Sequence, residues 1–348
     1  MKSNKYHSYN SHQLPKGCQL CIKGRKTVLY ITGLCPRNCY FCPLSDNRKN
    51  KDVIFANEVP VKKINEIIKE IKISKSKGIG ITGGDPLIFI DRTAKTIKAL
   101  KKEFGSSFHI HLYTSLNLVN EKRLSQLYKS GLDEIRFHPD LDDQSLWLKI
   151  KLANNFPWKI GIEIPCIPGK YKEIKKLIRD YSRYINFLNL NELEISDTNA
   201  NQLSNLGFKC KNNISYAIKG SQELALKILI QIRKELPDLP THYCTAKLKD
   251  SVQLANRLKL RAKSIKQSYQ LMDKEGMLIQ GIIYANENAM KKIKAKYKIP
   301  NNLISYDKKN KQTVIAPWIL LEIRKKIPYK NIIRKEYPTY DKLMVEEF

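Results

Sequence analysis

The chain has 348 residues, a formal net charge of +30 and eight cysteines, and it is long enough for one large domain with an appendage. It shows neither a secretory apolar segment at its N-terminus nor an apolar run near the ~18 residues that a membrane-spanning helix needs. We therefore expect a cytoplasmic protein whose thiols are reduced and serve metals or catalysis rather than disulfides.

The positive charge favours a nucleic-acid partner, because neutralisation of phosphates drives such binding. The excess of Lys is spread along the chain, however, which indicates a compositional bias more than a designed surface. Residues 245–266 stand out, since they carry seven basic residues against a single acidic one, Asp250. A phosphate-binding surface and a solvated helix face both fit this stretch, so RNA is retained as a partner.

The first motif in chain order is a C-x2-C pair, Cys18 and Cys21, just before an apolar, β-branched strand predicted at residues 27–34. Cys35, Cys39 and Cys42 follow in the loop that leaves this strand, with the spacing C-x3-C-x2-C. Four thiolates normally hold a cubane 4Fe-4S cluster, so three closely spaced ones leave an iron open for a substrate or cofactor. The alternative is a structural zinc knuckle completed by the C-x2-C pair, although C-x3-C is not its usual spacing.

Strand and helix periodicities then alternate along the chain. Strands are predicted at residues 78–82, 108–115, 133–138, 159–166 and 187–196, and helices at residues 61–74, 91–104, 120–130, 142–154 and 171–184. With the first strand, these make six strand–helix steps and predict a parallel sheet with helices outside it. Further elements are a helix at 221–236, a candidate short strand at 241–244 and a helix at 251–263.

From about residue 268 the pattern changes to mixed strand and helix, which predicts a small C-terminal α+β domain. The expected organisation is an N-terminal segment at 1–26 with the C-x2-C pair, a partial (β/α)6 barrel with its following helices at 27–266, and an accessory domain at 267–348.

Polar residues inside the predicted strands mark candidate site positions, because parallel strands covered on both faces should be apolar. Those nearest the strand C-termini are expected to face a cofactor or substrate: Tyr113, Thr114, Ser115, Arg136, His138, Glu163, Asn191 and Glu192. Internal ion pairs that satisfy one another are the alternative. Gly83-Gly84-Asp85-Pro86 ends the second strand, where glycines let the backbone approach a ligand closely.

The cysteine spacing, with Phe41 before the last Cys, resembles the signature of the radical S-adenosylmethionine (radical SAM) superfamily, and Gly83 to Pro86 resembles its Gly-Gly-Glu-Pro segment with Asp in place of Glu. The resemblance implies an α/β, TIM-like partial (β/α)6 barrel. It also implies a 4Fe-4S cluster on Cys35, Cys39 and Cys42, with S-adenosylmethionine (SAM) on the fourth iron. Reductive cleavage of SAM then yields methionine and a 5′-deoxyadenosyl radical.

By the same resemblance, Phe41 lies beside the adenine, and the backbone of Gly83, Gly84, Asp85 and Pro86 accepts hydrogen bonds from the SAM amino group. We also expect Tyr113, Thr114 and Ser115 to contact the cofactor. Arg136, His138, Glu163 and Glu192 are the candidate catalytic residues.

The chain further resembles archaeal proteins related to pyruvate formate-lyase activating enzyme, which implies a low-potential donor of the ferredoxin or flavodoxin type. The substrate is then a small molecule or a partner protein, although the segment after residue 268 is not expected in an activating enzyme. A tRNA-modifying radical SAM enzyme and a zinc-dependent nucleic-acid-binding protein are the alternatives. Cys18, Cys21 and Cys244, with His242 or Cys166, are candidates for a zinc ion or a second iron–sulfur cluster.

Overall fold

The computed structural model describes residues 3–213 and 215–347. The chain divides into two compact units, one made of residues up to 72 with 76–254 and the other of 73–75 with 255–348. The units therefore divide in sequence between Leu254 and Ala255. The boundaries expected from the sequence, after residues 26 and 266, stay predictions.

The first unit is built around one large sheet. Its strands are β1 (Tyr9–Asn10), β2 (Lys26–Tyr30), β3 (Phe55–Ala56), β4 (Val59–Pro60), β5 (Gly78–Thr82), β6 (His109–Thr114), β7 (Glu134–Phe137), β8 (Lys159–Cys166), β9 (Phe187–Glu192) and β10 (Thr241–Cys244). Their order in the sheet is β1-β10-β9-β8-β7-β6-β5-β2-β3-β4. The strands from β2 through β5 to β10 run parallel, whereas β1 at one edge and β3 with β4 at the other are antiparallel.

Helices connect these strands and cover the sheet. They are α1 (Lys16–Ile22), α2 (Ile64–Ile73), α3 (Ile90–Phe104), α4 (Glu121–Lys129), α5 (Tyr171–Tyr181), α6 (Ala200–Asn205), α7 (Ser221–Glu235) and α8 (Ala246–Leu248), with 3-10 turns at Pro86–Phe89 and Ser182–Tyr184 and a π-helical turn at Lys249–Leu254. The predicted partial parallel barrel is confirmed. The candidate short strand at 241–244 is its last parallel strand, β10.

The α-helix predicted at residues 142–154 is wrong, because the structure forms a 3-10 helix at Trp147–Asn155 instead. Two aspartates account for the late start. The Asp142 amide donates to the Asp140 side chain, and the Ser145 amide donates to Asp143. Such turns satisfy backbone donors locally and compete with the first turn of a helix.

The parallel strands have an apolar face and a polar face, and strand β6 shows the division clearly. Ile110 and Leu112 are fully buried in the main hydrophobic core, whereas His109, His111 and Tyr113 alternate with them and point the other way. A fully covered parallel strand would be apolar on both faces. The polar face therefore indicates that this side of the sheet encloses a site.

The second unit is a separate α+β structure, as the sequence predicts. Its elements are α9 (Ala255–Ile265), β11 (Leu271–Met272), β12 (Leu278–Ile283), α10 (Glu287–Lys296), β13 (Ile304–Asp307), β14 (Gln312–Ile315), α11 (Pro317–Ile323), β15 (Asn331–Glu336) and β16 (Met344–Glu347). The antiparallel sheet has the order β13-β14-β12-β15-β16, with β11 also on β12. A second hydrophobic core includes Ile283, Ile293, Ile315 and Leu320.

Within residues 3–213 and 215–347, we find no helix with both the length and the apolar character needed to span a membrane.

Candidate functional site

The first unit contains a cavity of about 610 Å³ on the polar side of its parallel strands. The cysteine loop after β2 and the glycine turn after β5 form part of its wall, and side chains of β6 to β10 and of α1 form the rest. Among the residues that line it are Cys18, Cys21, Cys35, Cys39, Phe41, Cys42, Gly83, Gly84, Tyr113, Thr114, Ser115, Arg136, His138, Glu163, Asn191, His242 and Cys244. Most of the predicted site residues therefore surround one space.

Cys35, Cys39 and Cys42 are free thiols that reach the cavity from the same loop. Burial raises the pKa of Cys35 to about 11, and burial also raises the pKa of Cys39. In the described part of the chain, no three His, Cys, Asp or Glu side chains converge as ligands for one metal ion. Their role as ligands of an iron–sulfur cluster stays a prediction at this point.

The glycine turn packs directly against the backbone of the cysteine loop. The Gly84 amide donates to the Thr32 carbonyl at 2.8 Å, and the Asp85 amide donates to the Leu34 carbonyl at 2.8 Å. A Cβ on Gly84 would lie 2.1 Å from the Leu34 carbonyl oxygen, and one on Gly83, whose φ is +149°, would lie 2.2 Å from that of Thr32. The close approach that requires glycine is therefore an approach to the cysteine loop.

Asp85 fastens this turn to strand β6. Its carboxylate accepts hydrogen bonds from the Leu87 amide at 3.0 Å, the Thr114 hydroxyl at 2.8 Å, and the Ser115 amide and hydroxyl at 3.1 and 2.6 Å. Asp85 and Pro86 are buried and are not among the cavity-lining residues. Their contact with a cofactor stays a prediction, and in the structure Asp85 positions its neighbours.

A buried ion-pair network connects the strands beneath the cavity. The Arg136 guanidinium contacts Glu134 at 2.5 Å and Glu163 at 2.7 Å, and it donates to the Tyr113 hydroxyl at 3.1 Å. Burial is the largest single influence on Glu134 and opposes its ionisation, but Arg136, His109 and Lys26 together outweigh burial and lower the pKa of this carboxyl to about 2. The alternative of internal ion pairs thus holds for Arg136 and Glu163, although both also line the cavity.

Asn189 and Asn191 complete the hydrogen bonds of Glu163. Their side-chain amides donate to its two carboxylate oxygens at 2.8 and 3.0 Å. Burial opposes ionisation of Glu163 too, but Arg136 and these donors lower its pKa overall. Glu163 is therefore a fixed anion.

His138 joins this network to the cysteine loop. Its Nδ1 lies 2.9 Å from the Glu163 carbonyl oxygen, and the Arg37 guanidinium donates to the His138 carbonyl at 2.8 Å. The rings of His138 and Phe41 have centroids 5.8 Å apart. Burial, together with the charge of Arg37, lowers the pKa of His138 to about 4. The imidazole is therefore neutral at pH 7.

The predicted placement of Glu192 beside the cofactor is corrected by the structure. Consecutive strand residues point to opposite faces, and Asn191 is the one that lines the cavity. The Glu192 carboxylate instead accepts from the Ala246 amide at 2.8 Å. Cys166 is likewise buried and is not among the cavity-lining residues.

The predicted second group of ligands also meets at the cavity. Helix α1 supplies Cys18 and Cys21, and strand β10 supplies His242 and Cys244. Whether these residues bind zinc or a second cluster stays a prediction at this point.

Several cavity-lining residues were missed in the sequence, among them Lys26, Asn189 and Gln253. Asn189 shares the period-two face of Asn191 and could have been found by that pattern. Lys26 opens a strand and Gln253 lies in a helical turn, and neither position carries a distinguishing signal.

Three free thiols in one loop, beside the carboxyl ends of parallel strands and against a glycine turn, are the arrangement expected of an α/β-barrel protein with an iron–sulfur cofactor. The radical SAM superfamily model matches residues 29–190, and a model of a domain of unknown function, DUF8061, matches residues 276–348. A "putative glycyl-radical enzyme activating enzyme" of Methanocaldococcus jannaschii is 42% identical over 359 aligned positions, covering 98% of this chain and 94% of the relative. The chain belongs to the radical SAM superfamily, and the resemblance found in the sequence is confirmed.

Solved structures give weaker likenesses. Streptococcus suis SuiB bound to S-adenosylmethionine matches 64% of this chain and 50% of its own, at 14% identity and a TM-score of 0.44. Methylornithine synthase (PylB) matches 66% of this chain and 71% of its own, at 16% identity and a TM-score of 0.41. This chain thus spans about half the length of SuiB. The family assignment depends on the sequence matches.

Membership in the family implies a 4Fe-4S cluster and SAM, and it identifies the chain as a radical SAM enzyme that cleaves SAM reductively. These matches give no support to the tRNA-modifying or zinc-dependent alternatives. Within the basic stretch at 245–266, Lys249 pairs with Glu194 and the Arg261 side chain donates to the Pro338 carbonyl.

Proposed function

We propose that Cys35, Cys39 and Cys42 hold the 4Fe-4S cluster and that SAM binds in the same cavity, beside Phe41 and the Gly83-Gly84 turn. The observation that carries the proposal is the convergence of three free thiols and this turn on one cavity. When bound, the cluster and SAM supply a 5′-deoxyadenosyl radical that abstracts hydrogen from the substrate.

The chain's own residues position and shield this chemistry. Asp85 holds the glycine turn against β6, so the turn and the cysteine loop keep a fixed relation. Arg37 pairs with Asp140 at 2.8 Å and fixes the backbone at His138. Because His138 is neutral and Glu163 is already satisfied, neither presents a free charge to the cavity.

We propose further that the hydrogen comes from a glycine of a partner protein and that a ferredoxin or flavodoxin supplies the electron. The name of the M. jannaschii relative supports this activating role. The alignment covers 98% of the chain, so the relative also has the C-terminal segment that is not expected in an activating enzyme from the sequence alone. Because a relative named as an activating enzyme has this segment, the segment no longer counts against the activating role.

The first experiment measures 5′-deoxyadenosine by chromatography after anaerobic reconstitution with iron and sulfide and reduction by dithionite. Cys39→Ala should abolish its formation, because one cluster ligand is lost. Cys210→Ala is the matched control, since Cys210 is a free thiol that is not among the cavity-lining residues, and it should retain activity. Full product formation by Cys39→Ala would reject the assignment.

The second experiment addresses the substrate. Proteins that co-purify with the chain are prepared from cells fed α-deuterated glycine and are incubated with the reduced enzyme and SAM. Deuterium in 5′-deoxyadenosine supports abstraction from glycine. Cleavage of SAM without deuterium transfer to product would contradict the activating role while leaving the radical SAM chemistry intact.

A further inference from the structure

We propose that Cys18, Cys21, Cys244 and His242 bind a second iron–sulfur cluster in the wall of the cavity formed by α1 and β10. We call these four residues the α1–β10 ligand group. The proposal does not depend on the identity of the substrate. All four residues lie outside the segment at 29–190 that the radical SAM family model matches.

Each of the three thiols of the group contacts a side-chain carboxamide, that of Asn189 or that of Gln253. The Asn189 amide donates to the Cys18 sulfur at 3.4 Å. The Cys21 thiol donates to Gln253 Oε1 at 3.2 Å, and Gln253 Nε2 lies 3.8 Å from the Cys244 sulfur. One amide group therefore touches both Cys21 and Cys244, which places these two thiols on opposite sides of a single small group.

Strand pairing brings His242 into the same group. His242 pairs with Asn189, the residue that contacts Cys18, and Cys244 pairs with Asn191. His242 and Cys244 are two residues apart on β10, so their side chains share the cavity face. The group thus draws on a helix near the N-terminus and a strand more than two hundred residues later, and the fold itself brings them together.

His242 is buried, and no hydrogen bond within the described residues satisfies its ring nitrogens. Only 2% of it is exposed, and neither ring nitrogen has a hydrogen-bond partner within residues 3–213 and 215–347. The Asn189 side-chain oxygen, also 2% exposed, has no partner in that part of the chain either. Native proteins seldom retain a buried polar group that neither the protein nor a bound water, ligand or ion satisfies. A metal bound to the imidazole accounts for His242.

The geometry favours a cluster over a single ion. Cysteine and histidine are soft and borderline ligands that suit zinc or iron–sulfur clusters. Cys21 and Cys244 contact the two heteroatoms of the Gln253 carboxamide, whereas Cys18 contacts a different amide, that of Asn189. A cubane takes one ligand on each of its irons, so sulfurs set apart along a cavity wall suit it better than the single point that tetrahedral zinc requires. The turn that carries Gln253 is π-helical, a conformation that is frequent at functional sites.

The test uses the full chain without its first cluster. We replace Cys35, Cys39 and Cys42 by Ala together, reconstitute the protein anaerobically, and measure iron, sulfide and absorbance near 400 nm. The triple variant should retain about four irons and four sulfides per chain, the content of one cubane. Adding Cys18→Ala and Cys21→Ala should remove them, whereas adding Cys166→Ala, a buried thiol outside the lining, should not.

Cys244→Ala in the triple variant provides a second route if the change in α1 prevents folding, which circular dichroism detects. A folded triple variant that binds neither iron nor sulfide would overturn the proposal, as would one tightly bound zinc without sulfide. His242→Cys tests the fourth ligand, because an all-thiolate cluster has a lower reduction potential than one with a His ligand. An unchanged midpoint potential would remove His242 from the group.

Discussion

Replacement of Arg136 by Met should destabilise the first unit strongly. The guanidinium is 2% exposed and contacts Glu134, which is 1% exposed, and Glu163. In the native chain the pKa of Glu134 is about 2, against an ordinary value of 4.5. At 1.36 kcal/mol per pKa unit, this depression corresponds to about 3 kcal/mol, and among the groups that lower the pKa Arg136 acts most strongly, ahead of His109 and Lys26. Loss of the cation removes the main counter-charge of Glu134 and Glu163 while Asn189 and Asn191 still donate to Glu163, and breaking a buried ion pair in this way typically costs about 3 to 5 kcal/mol.

Arg92→Met is the matched control. Arg92 makes a two-bond pair with Asp52, but these side chains are 32% and 38% exposed, so the change should cost about 1 kcal/mol or less. Unfolding in urea is followed by fluorescence in a Trp318→Phe background. The remaining tryptophans, Trp147 and Trp158, are both buried in the first unit and report on it specifically.

The pH dependence gives an independent check. The folded-state pKa of Glu134 is depressed, so its contribution is fully present above pH 4.5 and is lost as the pH falls toward 2. The loss of unfolding free energy caused by Arg136→Met should therefore become smaller below pH 4.5. A loss equal to that caused by Arg92→Met, or a loss that does not change with pH, would refute the reasoning from burial and pairing.

Three further predictions concern the cavity. Gly84→Ala places a Cβ 2.1 Å from the Leu34 carbonyl and should cost about 1 to 3 kcal/mol in urea unfolding, with less iron retained after reconstitution; unchanged values would contradict the close packing. In Asp85→Asn, the new NH2 group faces the backbone amide of either Leu87 or Ser115, whichever way the carboxamide is oriented, so the free energy of unfolding should fall by about 1 to 3 kcal/mol. An unfolding midpoint equal to wild type would show that Asp85 does not hold the glycine turn. His138 has a folded-state pKa of about 4, below its ordinary 6.5, so its contribution is present above pH 6.5 and is lost as pH falls toward 4. His138→Gln should reduce the slope of the stability profile across that window, to which the buried His242, whose pKa burial also lowers to about 4, contributes as well; an unchanged slope would show that His138 does not contribute.

Local patterns predicted the parallel barrel well. Strands β5, β8 and β10 have the limits expected at 78–82, 159–166 and 241–244. The cysteine loop and the glycine turn were found because both are short motifs with fixed spacing. Their mutual packing was not predictable, since it depends on a contact between Gly84 and Leu34 from different strand–helix steps.

The wrong predictions have physical causes that a short stretch of sequence does not reveal. Glu192 and Asn191 are adjacent polar residues, and only the register of β9 decides which of them faces the cavity. The helix expected at 142–154 starts late because aspartate side chains satisfy its first amides. Helix α1 carries the C-x2-C pair, yet its apolar residues are too few to show a helical period in the sequence.

The pairing of β1 with β10 has a consequence for biosynthesis. Tyr9 lies opposite Tyr243, so a residue of β1 finds its strand partner only after more than two hundred further residues have been made. Long-range pairing of this kind is slow to form, and an incomplete sheet exposes an unpaired edge in the meantime. The nascent protein thus stays open at this edge until translation has passed residue 244.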